Sequence, residues 1–186
     1  MIHSVIGEAQ HLLYDRLVFR PLSYLDSRDS GQFSDDLTFA TNGKSFLDLP
    51  GNSVKLGHDG RRVMLWVEEA GKLSILKGRG NHFDPGKVNN YEKLVSIFLE
   101  RLIVLGHMTS GLPGRARGVI SMKLRNTWHT MRNVFIQGGD LMLLTEYVKT
   151  QNMTGNPMVV ARFLPALVAR LFIAYIADIQ PFLSFL

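Results

Sequence analysis

Residues 133–147 decide the fold and read Asn133-Val-Phe-Ile-Gln-Gly-Gly-Asp-Leu-Met-Leu-Leu-Thr-Glu-Tyr147. Two apolar runs flank Gly138-Gly139, and glycine adopts positive φ without steric cost, as a primed two-residue turn requires. This pattern predicts a β-hairpin. Met158 to Phe163 is a short apolar run of strand length, so we expect a third strand and an antiparallel sheet.

A long apolar stretch follows the predicted sheet. Pro165 suits the first turn of a helix, where its missing N–H costs nothing. The run from Phe163 to Leu186 resembles a membrane span in length, but it contains Arg170, Asp178 and Pro181. Charges are costly in hydrocarbon, so the sequence predicts a buried helix and no membrane partner. An end rich in apolar residues also predicts exposed apolar surface near Phe182, Leu183 and Phe185.

The N-terminal half favours helices. Apolar residues recur at helical spacing from Ile2 to Phe19, from Arg62 to Leu76, and from a cap at Asn89 to about Gly106. Residues 22–60 are rich in Ser, Asp, Gly and Asn, and are predicted to be mostly flexible loop.

The predicted class is therefore α+β, with an N-terminal helical part followed by a small antiparallel three-stranded sheet packed on helices. We expect two segments. Residues 1–110 form a mainly helical lobe with a loop-rich stretch at 22–60. Residues 111–186 form a helix from about Arg115 to Asn126, the hairpin, the third strand and the long apolar helix.

Composition excludes several functional classes. The 186 residues contain no cysteine, which rules out disulfide scaffolds and thiolate zinc sites. The six histidines lack metal-ligand spacing. Gly43-Lys44-Ser45 resembles the end of a phosphate-binding loop, but Thr38 stands where that motif needs glycine. We therefore predict no catalytic residue, no metal and no cofactor. Without a secretory leader pattern, nuclear or cytoplasmic residence is expected.

A set of basic residues in the second half is the main functional candidate. The net charge is +5 and the pI is near 9.6, and basic surfaces attract phosphates. A helix and a hairpin could gather these side chains on one side, although an ordinary solvated rim would have the same composition. The predicted nucleic-acid-binding residues are Arg117, Lys123, Arg125, Arg132, Lys149 and Arg162.

Short motifs across about residues 91–186 resemble a known group of proteins. They are Gly111-Leu-Pro-Gly-Arg-Ala-Arg-Gly118, Asn126-Thr127, Arg132-Asn-Val-Phe-Ile136, Thr145-Glu-Tyr-Val-Lys149, Arg162-Phe-Leu-Pro165 and Pro181-Phe182. The pattern is similar to the non-motor region of fungal, telomere-linked, RecQ-helicase-like proteins derived from mobile elements. The resemblance implies DNA as a partner, and a truncated or diverged copy of such a protein.

The order of elements is also similar to half of a tyrosine-recombinase catalytic domain. In that class an arginine and a lysine bind the scissile phosphate, and Arg117 and Lys149 occupy the comparable places. Ile120 replaces the glutamate of the motif, Val148 replaces the histidine before the lysine, and neither an H-x-x-R pair nor a nucleophilic tyrosine follows. The resemblance therefore implies no strand cleavage.

Two functional hypotheses remain open from the sequence. One is a non-catalytic nucleic-acid-binding fragment of a mobile-element or telomere-linked helicase-like protein. The other is a diverged small interaction protein, with no DNA binding and no enzymatic activity, that contacts a protein partner or a second copy through its apolar C-terminal end.

Overall fold

The computed structural model describes residues 1–56, 60–71, 83–111, 122–147 and 158–186. It shows the predicted α+β class, with helices and one three-stranded antiparallel sheet. The helices are α1 (Ile2–Leu12), α2 (Pro50–Leu56), α3 (Gly60–Ala70), α4 (Pro85–Thr109), α5 (Ala166–Ala174) and α6 (Gln180–Phe185). The strands are β1 (Val134–Gln137), β2 (Asp140–Tyr147) and β3 (Met158–Phe163).

The chain forms two compact units, each assembled from separate segments. Unit 1 contains Met1–Arg28, Leu56–Leu105 and Arg170–Leu186, and unit 2 contains Asp29–Lys55 and Gly106–Ala169. These units do not coincide with the consecutive segments 1–110 and 111–186 expected from the sequence. Composition along the chain reveals linkers, but it does not reveal which distant segments pack together.

The core of unit 1 lies around α4. Val95, Phe98 and Leu102 are buried and lie three to four residues apart, so one face of the helix turns inward. Tyr91, one turn earlier, packs edge-on against Phe182 with 5.2 Å between the ring centroids. The prediction that Phe182 is exposed is thus wrong, because its ring is fully buried in this contact.

Helix bounds in unit 1 differ from the predicted ones for local reasons. The α4 helix begins at Pro85, four residues before the predicted cap at Asn89, because the Asp84 carboxylate accepts from the Gly86 amide at 3.0 Å and the Lys87 amide at 3.3 Å. The α3 helix ends before Gly71, whose φ of 62° is left-handed. The predicted extension of that helix to Leu76 lies outside the described residues.

Two helices continue through π-helical turns. Leu13–Leu17 extends α1, and Tyr175–Ile179 joins α5 to α6. Ala166–Phe185 is the one described helix long and apolar enough to cross a membrane, and 56% of its most apolar window is buried. A core helix of a soluble protein has these same properties.

Unit 2 is built on the predicted hairpin. Val134 pairs with Leu143 and Gln137 with Asp140, and Gly138 and Gly139 form the turn with φ of 62° and 89°. Both central residues of a type I′ turn need positive φ, which explains the glycine pair. β3 lies antiparallel to β2, so the strand order is β1-β2-β3.

Residues 29–55 are more ordered than their composition predicts. Short 3₁₀ turns form at Ser30–Gln32 and Phe46–Asp48, followed by α2. The buried Asn52 side chain donates to the carbonyl oxygens of Ser34 at 2.5 Å and Phe46 at 2.7 Å. The prediction of a mostly loop stretch is only partly correct here, because short helical turns form and side-chain hydrogen bonds replace part of the missing regular backbone pairing.

Candidate nucleic-acid interface

The described part of the predicted basic region begins with an irregular loop, residues 122–132, which we call the basic loop. The predicted helix from Arg115 to Asn126 is wrong at its end, because residues 122–126 are not helical, and its part before residue 122 lies outside the described residues. Instead the backbone N–H of Asn126 donates to the Lys44 carbonyl, and the backbone N–H of Gly43 donates to the Asn126 carbonyl, both at 2.9 Å. The loop is thus paired through its backbone with residues 43 and 44.

The side chain of Asn126 fixes the loop more firmly. It is buried, and its amide group donates to the carbonyl oxygens of Phe39 at 2.8 Å and Thr41 at 3.2 Å. Its own oxygen accepts from the Arg132 amide at 3.0 Å. An asparagine suits this position because it donates and accepts at once.

A tight turn projects from this anchor. The Thr127 amide donates to the Thr130 carbonyl at 2.9 Å, and the Thr130 amide donates to the Thr127 hydroxyl at 3.1 Å. Trp128 lies at the tip with 84% of its surface exposed. The indole ring is therefore accessible to a binding partner.

Two of the predicted basic residues lie on this loop and are exposed. The Lys123 ammonium donates to the Thr130 hydroxyl at 2.8 Å, which holds one positive charge beside the turn. Arg125 contacts the Asp48 carboxylate at 2.7 Å and donates to the Gly43 carbonyl at 2.9 Å, with 43% of its side chain exposed. We call Lys44, Lys123 and Arg125 together the basic surface.

Lys44 joins the basic surface through the same carboxylate. Its ammonium lies 3.4 Å from Asp48, so two cations share one anion and an excess positive charge remains. Burial alone would raise the pKa of Asp48, but the hydrogen bond from the Ser45 amide and the charges of Arg125 and Lys44 outweigh it and lower that pKa. Asp48 is therefore ionised at neutral pH and holds both cations in place.

Arg132 has a different role from the one predicted. Its side chain is fully buried and pairs with the fully buried Asp35 at 2.5 Å. It also donates to the Phe39 carbonyl at 2.7 Å, and its guanidinium stacks on Phe135 at 4.4 Å. Burial raises the pKa of Asp35, against the lowering effects of the Ile136 amide and of Arg132. The prediction that Arg132 contacts phosphate is therefore wrong, because its guanidinium has no exposed surface.

Of the remaining predicted residues, the structure describes only Arg162, which does not contact the basic loop. Arg162 is half-buried on β3, and its Nε donates to the Thr145 hydroxyl at 3.2 Å. Arg117 and Lys149 lie outside the described residues, so their proposed roles stay predictions from the resemblance.

Sequence reasoning missed Lys44, a member of the basic surface, and Trp128, which lies on the basic loop. Trp128 stands in the run Asn126-Thr-Trp-His-Thr130, where polar neighbours indicate an exposed ring, and residues 122–132 contain no aspartate or glutamate. Those two facts could have identified the loop. Lys44 could not have been found, because its place beside Arg125 depends on pairing between segments about eighty residues apart.

Unit 1 contains a separate charged cluster that the sequence did not predict. The Asp178 carboxylate is fully buried and accepts hydrogen bonds from Tyr24 and Arg62 and, at 2.7 and 3.0 Å, from Arg28. Trp66 packs edge-on against Tyr24, with 5.5 Å between the centroids. Burial, followed by the charge of Asp178, raises the pKa of Tyr24 well above its usual value.

The chemistry of this cluster is structural. A buried carboxylate costs free energy unless it is paired, and here its donors occupy both oxygens. Within the residues that the structure describes, no group of three or more histidines and carboxylates is placed to hold a metal ion. The basic surface is therefore the better candidate for a functional site.

Comparison with known proteins does not assign the chain to a family. No family model matches the chain, and no solved structure matches it.

Proposed function

We propose that this chain binds DNA without catalysing a reaction, and that the basic surface carries the binding. The observation that supports this most strongly is the anchored basic loop, which presents Lys123 and Arg125 to solvent and contains no acidic residue. Cations held on an ordered loop lose little conformational freedom when they meet phosphates. Binding of this kind is independent of sequence.

The biological setting is proposed from the resemblance alone. The motifs between residues 91 and 186 are similar to those of fungal telomere-linked, RecQ-helicase-like proteins, so we propose a non-catalytic fragment of such a mobile-element-derived protein. A DNA-binding fragment of this type would act in the nucleus. From the same resemblance, Arg117 and Lys149 are proposed as further phosphate contacts.

A second candidate function is protein binding, and β3 favours it. Val159 and Phe163 are 56% and 46% exposed, and residues four apart on a strand lie on the same face. Phe185, 38% exposed, adds apolar surface in the other unit. In this alternative the chain is a small interaction protein with no DNA binding and no enzymatic activity.

Fluorescence anisotropy with a labelled oligonucleotide at low salt separates the two functions. The informative variant is Lys44→Gln with Lys123→Gln, since it removes two exposed charges and leaves the Arg125–Asp48 contact intact. Exposed charge contacts contribute up to about 1 kcal/mol each, so we expect about tenfold weaker binding. Lys87→Gln with Lys93→Gln is the charge-matched control, because both lysines lie on α4 in unit 1. Equal affinity of the two double variants, or no binding by the unaltered chain, favours the interaction protein.

A further inference from the structure

Trp128 has no role in the binding of phosphates, yet it is the most exposed aromatic ring among the described residues. The other tryptophan of the chain, Trp66, packs against Tyr24 and lies 4.9 Å from the guanidinium carbon of Arg20. Leaving an indole in water forfeits the burial that large rings usually supply. The exposed indole of Trp128 therefore offers a flat apolar face to a partner.

The Trp128 ring lies on a turn that hydrogen bonds hold in place. Thr127 and Thr130, which flank Trp128 in the turn, are joined by hydrogen bonds, and the Lys123 ammonium donates to the Thr130 hydroxyl. Asn126 fixes the base of the turn. The turn that carries the indole is thus ordered, and the Lys123 ammonium lies beside that turn.

We propose that Trp128 stacks on an unpaired base, so that the DNA bound by the basic surface is single-stranded. This inference rests on the proposed function and specifies its ligand. In a duplex the faces of the bases are covered and only their edges are accessible in the grooves. In a single strand the faces are open, and proteins that bind such strands combine cations along the backbone with aromatic rings under the bases.

The charge around Trp128 favours a nucleic acid over a protein as the partner of its ring. The eleven residues 122–132 include the exposed Lys123 and Arg125, with His129 beside Trp128 and no acidic side chain. Lys44 adds a further cation at the anchor. A partner that offers a flat ring next to an anion matches this surface, and a nucleotide has both.

The test follows the fluorescence of Trp128 in a Trp66→Phe background, where it is the only tryptophan, since the chain has two. The probes are oligodeoxyuridine of about 16 nucleotides, a site size typical of single-strand binding, oligouridine of the same length, and a DNA duplex of equal length. We expect quenching by the single strands and little by the duplex. The tighter of the two single strands identifies the sugar that the surface prefers.

Substitution at the ring completes the test. Trp128→Ala should weaken binding of the single strand about 5- to 150-fold, the range that base stacking supplies, and Trp128→Phe should recover part of that loss. The exposed position makes misfolding of either variant unexpected, and circular dichroism checks this. Salt-dependent binding that is equal for duplex and single strand, and insensitive to Trp128→Ala, overturns the stacking proposal but leaves the proposed function intact. Absence of all salt-dependent binding overturns both.

Discussion

Replacing Asp178 by asparagine tests the buried charge cluster of unit 1. The carboxylate is fully buried, and the side chain of Arg28 beside it is only 4% exposed. Asparagine keeps the shape but loses the charge, so the Arg28 guanidinium is left in the interior without a counterion. It also places an amide donor among groups that are themselves donors. We expect substantial destabilisation without any change of fold.

The magnitude follows from the burial of both partners. Breaking a buried ion pair by removing one member costs about 3–5 kcal/mol. Unfolding entropy is about 2.1 cal/mol/K per residue, or roughly 0.4 kcal/mol/K for 186 residues. The Asp178→Asn variant should therefore melt ~8–13 °C below the unaltered chain when followed by circular dichroism.

A matched control removes a charge from an exposed pair near the same cluster. Glu69 is 69% exposed and lies 2.8 Å from Arg20, so Glu69→Gln should cost no more than about 1 kcal/mol. Arg28→Met combined with Asp178→Leu should recover part of the loss, because it removes the buried charge of Arg28 and leaves only Arg62, whose side chain is 29% exposed, without this partner. If Asp178→Asn melts within a degree or two of Glu69→Gln, the reasoning about this cluster is wrong.

Two further predictions concern the anchor and the tyrosines. Asn126→Ala removes three side-chain hydrogen bonds, which should lower the free energy of unfolding by about 2–4 kcal/mol and weaken DNA binding. Thr127→Ala, at an exposed position, is the control and should lower stability less. Urea denaturation measures the stability of each variant, and anisotropy measures its DNA binding. Alkaline titration followed by ultraviolet absorbance should show delayed ionisation of four of the five tyrosines, because burial raises their pKa values, that of Tyr14 to about 12. Since these pKa values are raised in the folded state, the stability that the buried tyrosines contribute is present below about pH 10 and is lost as the pH rises through the folded pKa values. Titration of the four tyrosines at the pH of free tyrosine would contradict this. The four residues are Tyr14, Tyr24, Tyr91 and Tyr175.

Local sequence patterns predicted the elements whose cause is local. Gly138-Gly139 specifies the hairpin because positive φ is a property of the residues themselves. The third strand is confirmed at Met158–Phe163, and the last helix begins within one residue of the expected Pro165. The start of α4 was misplaced, because both Asp84 and Asn89 are residues that can cap a helix.

Long-range pairing explains what the sequence did not predict. Arg132 looked like one more surface cation, yet its partner Asp35 lies 97 residues earlier. Arg28 and Asp178 are 150 residues apart. Charge composition cannot distinguish a buried pair from a solvated rim, since both use the same residue types. The basic surface itself was only partly predicted, through Lys123 and Arg125.

The salt dependence of DNA binding tests the central claim most directly. The measurement is the logarithm of the association constant for single-stranded oligothymidine plotted against the logarithm of salt concentration. Each lost phosphate contact lowers the slope by about 0.7 on single strands, so Lys44→Gln with Lys123→Gln should lower it by roughly 1.4, while Lys87→Gln with Lys93→Gln leaves it unchanged. Identical slopes for the unaltered chain and both double variants would contradict the assignment of DNA binding to the basic surface.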